Sequence, residues 1–277
     1  MAGRGGVFNG KWVGVVPKEC MPSLSVLRLS AKLNWEEARE PLHRDIDMKP
    51  CGIGPGLAFA NEIVRMKSGG GRYVVGLVPC AVGGTRIEEW RKGAHLYNEL
   101  VKRTIESVKN GGGVIRALIW YQGESDTVRE EDAKAYKGRM ESFIQNIRSD
   151  LKLPNLLVIQ VALASGDGKF INMVRNAQLS IKLPNVRCAD AKGLLLQRDN
   201  LHLTSMSEVA LASGDGKFIN MVRNAQLSIK LPNVRCADAK GLRLPRDNLH
   251  LTSMSEVHLG HVYLASTNLH FYYTKNS

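Results

Sequence analysis

Apolar positions in this chain fall into short, nearly continuous runs separated by longer stretches of helical period. Tyr73–Cys80 (YVVGLVPC), Val114–Gln122 (VIRALIWYQ), Leu156–Ala164 (LLVIQVALA) and Val186–Ala191 (VRCADA) have the length and composition of buried strands. Leu57–Lys67, His95–Asn110, Glu131–Leu151 and Lys169–Leu183 place apolar residues three to four apart, the spacing of amphipathic helices. A glycine run stops the second of these helices, and Ser253–Tyr272 reads as a closing helix. Apolar strands alternating with helices predict an α/β fold, in which a parallel sheet is covered on both faces.

The second half holds an internal repeat. Residues 161–208 and 209–256 are one 48-residue block written twice, differing only at Leu195 against Arg243 and Gln197 against Pro245. A solenoid needs about three copies to bury a core, and its units drift apart in sequence. Two near-identical copies, each holding a helix pattern, a short strand and a loop, read instead as a duplicated fragment within a single domain spanning 1–277.

Composition narrows the class. With 44% hydrophobic and 23% charged residues the chain is an ordinary globular one. No apolar run approaches the length of a transmembrane helix. Met1–Gly6 has no apolar h-region, so no secretory signal is predicted and the cytoplasm is favoured. The net charge of +12 is spread along the chain, without zinc-finger spacing or an RNA-recognition aromatic signature. It predicts a basic surface and no nucleic-acid partner. Cys20, Cys51, Cys80, Cys188 and Cys236 are odd in number and hold no CxxC, which predicts free thiols.

In α/β folds the working residues follow the carboxyl ends of strands. Gly83-Gly84 follows the first predicted strand, where paired glycines let backbone N–H groups face a ligand. A plain tight turn explains the same residues. Gln122-Gly123-Glu124-Ser125-Asp126 crowds polar groups at the end of the second, and a polar turn is again the simpler reading. Asp199-x-x-His202 and its repeat Asp247-x-x-His250 follow the strand of each copy. An Asp three residues before a His can orient the imidazole as a general base, although a surface His beside a loop Asp has the same spacing. HExxH, a Walker loop, GxGxxG and GxSxG are absent. His258 and His261 lack a third ligand nearby, so no metal is predicted.

Taken together, Met1–Gly6 (MAGRGG), Leu27–Leu42 (LRLSAKLNWEEAREPL), Gly52–Asn61 (GIGPGLAFAN), Gly76–Trp90 (GLVPCAVGGTRIEEW), Trp120–Asp126 (WYQGESD) and the DNLH loops resemble plant carbohydrate esterases of the sialate O-acetylesterase-like family. That family belongs to the SGNH hydrolases and is related to acetyl xylan esterases. The resemblance implies a three-layer α/β/α sandwich and hydrolysis of acetyl esters on carbohydrates or small ester substrates, without a metal or organic cofactor. It implies that a Ser in a Gly-Gln-Ser-Asn block attacks the ester. The His of one DxxH pair, His250 or His202, would take the proton, held by Asp247 or Asp199. Gly83, Gly84 and Gln122 would bind the oxyanion. The second copy is favoured, because the closing helix follows His250 directly.

The family pattern reads G-Q-S-N-M-A-G-R-G, and this chain opens at its Met. The nucleophile and the strand that presents it, the first of the sheet, are therefore missing from the residues as written. Loss of a nucleophile costs on the order of 10⁶ in turnover. The resemblance thus predicts a chain that is inactive as written, and Ser125 is not the nucleophile of its block. A catalytically dead protein that binds carbohydrate through the same cleft is the alternative.

Overall fold

The computed structural model describes residues 1–67, 73–109, 113–164, 166, 168–191 and Val257. Two short hairpins open the chain. β1 (Val7–Phe8) pairs with β2 (Lys11–Trp12), and β3 (Val26–Leu29) pairs antiparallel with β4 (Trp35–Glu37). Then come α1 (Pro55–Lys67), β5 (Val75–Leu77), α2 (His95–Glu106), β6 (Ala117–Trp120), α3 (Glu130–Asp150), β7 (Leu157–Ala162), α4 (Ile171–Leu179) and β8 (Val186–Asp190). Each of the four predicted strands contains one of β5 to β8. The four predicted helices correspond to α1 to α4.

The molecule is a mixed α/β protein whose strand crossovers are parallel. β3 pairs with β5 in parallel, and β6, β7 and β8 form a parallel set. The described strands divide into two three-stranded sheets, in the orders β4-β3-β5 and β6-β7-β8, besides the β1-β2 hairpin. The resemblance expects a parallel sheet that lacks its first strand in the residues as written, and β5 and β6 are each the edge of a described sheet.

β7 is the most deeply placed strand. Val158, Ile159, Gln160, Val161 and Ala162 are all fully buried, as suits a parallel strand covered on both faces. α4 packs on β7 and β8 and against α3, while α1 packs on β3 and β5. The larger core gathers Trp90, Trp120, Tyr136, Phe143 and Ile159. Trp90 and Trp120 meet edge-on at 5.2 Å, a favoured aromatic geometry. A smaller core beneath α1 joins Cys20, Val26, Leu42, Ile53 and Leu57 to Val257.

Three local departures from the expected boundaries have simple causes. α1 begins two residues earlier than expected, at Pro55, because proline's fixed φ and missing N–H suit a first helical turn. α4 is shorter than Lys169–Leu183, since Ser180 closes it and turns its hydroxyl back to Ala177 O at 2.9 Å. β3 was not predicted as a strand, because Arg28 interrupts its apolar run. Arg28 is nonetheless fully buried, with Asp45 and Glu36 as ion-pair partners. The expected closing helix lies outside the described residues except for Val257, which is helical and buried.

Candidate active site

Two turns leave neighbouring strand ends and meet at one cavity. The first runs on from β5 through Gly83, Gly84 and Thr85. The second runs on from β6 through Gln122, Glu124 and Ser125. Both line a cavity of about 1000 Å³, together with Met1–Arg4, His43 and Lys49. The sequence-predicted residues Gly83, Gly84 and Gln122 are thus brought together. Asp199, His202, Asp247 and His250 lie outside the described residues.

A side chain on the glycine turn would be strained at Gly84 and would displace Arg4 at Gly83. Gly84 has φ +76°, and a Cβ on Gly83 would stand 2.3 Å from Arg4 Nη2. This close approach lets Asp47 serve two donors. Its Oδ2 accepts from Gly83 N–H at 2.9 Å and from Arg4 Nη2 at 2.7 Å. Asp47 is buried, so the ion pair with Arg4 also balances a charge removed from water. Lys49 Nζ donates to Gly83 O at 2.7 Å, completing a clamp on the turn. Thr85 is braced from below, where Trp90 Nε1 donates to its hydroxyl at 3.1 Å.

The second turn is held by a polar network. Gln122 Nε2 donates to Thr85 O at 2.9 Å and to Asp126 Oδ2 at 2.6 Å. Both amide hydrogens are therefore placed, and the two turns are tied to each other. Tyr136 of α3 donates its hydroxyl to Gln122 O at 2.9 Å, and Gln178 of α4 donates Nε2 to the same oxygen at 2.9 Å. Gln178 Oε1 in turn accepts from Leu163 N–H, just past β7, at 2.9 Å. Gly123 has φ +137° and brings its backbone against Gln178 and Val174.

Burial sets the protonation of this network. Asp126 is fully buried, and burial pushes its carboxyl up to about 6 against the opposing bonds from Gln122 and Ile87 N–H. Burial likewise keeps the Tyr136 phenol neutral. His43 is held down to about 3, first by burial and then by the positive charges of Arg28, Arg103 and Arg4. An imidazole of that pKa is a weak general base near neutrality. Burial raises the Cys80 thiol to about 11, so Cys80 offers no thiolate there.

Sequence reasoning missed Arg4, Asp47, Lys49, Tyr136 and Gln178. Asp47 lies in a loop remote in sequence from both turns, and no local pattern marks it. Among the described residues, no group of three or more His, Cys, Asp or Glu could hold a metal ion. No helix among them is long and apolar enough to cross a membrane.

With this geometry in view, likeness to known proteins decides the family. The sequence matches the family described as "Carbohydrate esterase, sialic acid-specific acetylesterase" over residues 1–213 and again over 208–268. This chain belongs to that family of carbohydrate esterases. The second match begins beside the second copy of the repeat.

A probable carbohydrate esterase of Arabidopsis thaliana is 57% identical over 215 residues, covering 75% of this chain and 82% of that protein. The X-ray structure of the Arabidopsis protein superposes with a TM-score of 0.73 at 45% identity, over 96% of this chain and 94% of that one. NanS matches with a TM-score of 0.52 at 16% identity, over 62% of this chain and 70% of its own, a likeness of fold. Membership makes the chain a hydrolase-family protein of the ester-cleaving kind, and the cavity joining the two turns is its candidate active site.

Proposed function

We propose that this chain forms the body of a serine-type esterase that removes acetyl groups from acetylated carbohydrate. The carrying observation is that Met1–Arg4, the Gly83-Gly84 turn and the Gln122–Ser125 turn line one cavity. A Ser two residues ahead of Met1 would lie within about 7 Å of chain from that cavity. In this reading the Ser hydroxyl attacks the ester carbonyl and His250 takes its proton, oriented by Asp247. The tetrahedral intermediate collapses, and His250 returns the proton to the departing sugar oxygen. Water then repeats the sequence to release acetate and free the Ser.

The second copy supplies the His in this reading. Val257, seven residues beyond His250, is buried beside Leu42, Ile53 and Leu57. Leu42 also lines the cavity. A chain anchored there supports placing the His250 loop near the site.

Residues 1–277 alone hold no Ser in a Gly-Gln-Ser-Asn block, and the proposal makes them inactive as written. A binding-only role for those residues has one observation in its favour. Gly83 N–H and the Gln122 amide already donate to Asp47, Asp126 and Thr85, leaving fewer donors for an oxyanion.

Acetate release from acetylated xylan and from 4-nitrophenyl acetate tests both readings. Residues 1–277 are compared with the same chain extended by a family-like strand ending in Gly-Gln-Ser-Asn. Turnover by the extended chain alone, abolished by Ala at the new Ser, is the expected result. Turnover by residues 1–277 at the same rate would overturn it. Sugar binding without turnover in both proteins would favour the binding role.

A further inference from the structure

The first copy of the repeat braces the site through a residue that stands behind the cavity wall. Gln178 lies at the end of α4, within residues 161–208. It is fully buried, and its side-chain amide is spent in three directions. Oε1 accepts from Leu163 N–H, just past β7, at 2.9 Å. Nε2 donates to Gln122 O, just past β6, at 2.9 Å and to Tyr136 Oη at 3.2 Å. Gln122 lines the cavity, whereas Gln178 and Tyr136 do not.

The three side chains act in series. A phenol has one hydrogen to give. With Gln178 donating to Tyr136 Oη, that hydrogen is left for Gln122, whose O and Oε1 lie 2.9 and 3.2 Å away. The turn also sits close on α4, since a Cβ on Gly123 would stand 3.1 Å from Gln178 Nε2. Only a neutral amide can accept from one strand end and donate to the other. An ionised Glu would accept from Leu163 but donate to nothing, and Met would do neither.

We infer that Gln178 is a positioning residue, which sets the place of Gln122, and that its sequence counterpart Gln226 in the second copy has no part in this. The two copies then divide the work. The first braces the oxyanion side of the site, and the second carries the general base. The effect on turnover rests on the esterase reading, because a donor stabilises a developing oxyanion only from a place fixed beforehand. The effect on Gln122 itself rests on the hydrogen bonds alone.

Nuclear magnetic resonance of residues 1–277 carrying isotope-labelled glutamine tests the placement directly. The Gln122 side-chain amide is assigned by its loss in Gln122→Met. In Gln178→Met its hydrogens should exchange with water about tenfold faster, the scale of one lost neutral hydrogen bond. Tyr136→Phe, which removes a single hydroxyl, should speed exchange by about threefold. Gln226→Met should leave it unchanged. Unchanged exchange in Gln178→Met, or in Tyr136→Phe should the Met variant not fold, would overturn the inference. So would a larger effect from Gln226→Met, which would hand the role to the second copy.

In the extended esterase, Gln178→Met should lower kcat by about tenfold to a hundredfold while KM stays within about twofold, because a misplaced donor is felt in the transition state. A residue that only stabilised the fold would lower the unfolding midpoint and leave kcat of the folded protein unchanged, and that result would overturn the inference. An extended chain without turnover would refute the esterase reading, and the exchange result would then decide the placement by itself.

Discussion

Gln122 Nε2 and Asp126 Oδ2 lie 2.6 Å apart, and this bond fixes the turn after β6. The carboxyl that accepts it is fully buried and titrates near 6 instead of near 3.8. Because the folded state holds this proton more tightly than the unfolded chain, Asp126 favours folding at low pH. That contribution is fully present below about pH 4 and is lost as pH rises through about 6. Two units correspond to roughly 3 kcal/mol. Asp126→Asn should remove this part of the pH dependence. Urea unfolding of both proteins at pH 4.5 and pH 7.5 measures it, and parallel profiles would show that Asp126 does not carry the shift.

Arg103 should be the residue of α2 that the fold can least spare. It is buried, and it donates Nε to Pro79 O at 3.0 Å, Nη1 to Ser30 O at 3.0 Å and Nη2 to Leu29 O at 2.8 Å. One guanidinium thus pins α2 to the ends of β3 and of the strand region around β5. Arg103→Met leaves three carbonyls without their donor and should cost on the order of 3–5 kcal/mol. Arg103→Lys reaches fewer of them with a point charge and should recover only part of the loss. A cost below about 1 kcal/mol for the Met variant in chemical denaturation would mean that water replaces the guanidinium.

Gly83→Ala should act through Arg4. The new Cβ would meet Arg4 Nη2 at 2.3 Å and Asp47 Oδ2 at 3.0 Å, so the guanidinium must leave its carboxylate. A buried Asp47 without its partner is destabilising by about 1–3 kcal/mol. In an Arg4→Ala background the clash is gone, and Gly83→Ala should then cost much less. A double-mutant cycle on unfolding free energies reads this coupling directly. Additive losses would place the penalty on the Gly83 backbone instead of on the ion pair.

The degree to which the sequence disclosed this arrangement depends on range. α3 was expected at Glu131–Leu151 and runs over Glu130–Asp150, because a long amphipathic period needs no tertiary context. β3 escaped notice, because a buried Arg28 reads as polar until its acidic partners are known. The same contrast holds at the site. Gly83, Gly84 and Gln122 were legible because each comes after an apolar strand. Their partners were not, since Asp47 reaches Gly83 from 36 residues away and Gln178 reaches Gln122 from 56.

The choice between the two copies of the repeat is decided by catalysis in the extended esterase. Asp199-x-x-His202 and Asp247-x-x-His250 are identical in sequence, so local chemistry cannot separate them. Their C-terminal flanks are the same through Val209 and Val257 and differ beyond them. Past His202 the chain enters the second copy at Val209, whereas past His250 it reaches Val257, which is 1% exposed in the core beneath α1. An anchored flank restricts where the preceding loop can lie, and a general base must be held within hydrogen-bond reach of its nucleophile. His250→Ala should therefore lower kcat by on the order of 10⁴–10⁶, while His202→Ala leaves it within about threefold. Asp247→Asn and Asp199→Asn should show the same order. A larger loss for His202→Ala would assign the site to the first copy, and equal partial losses would mean that both loops take turns in it.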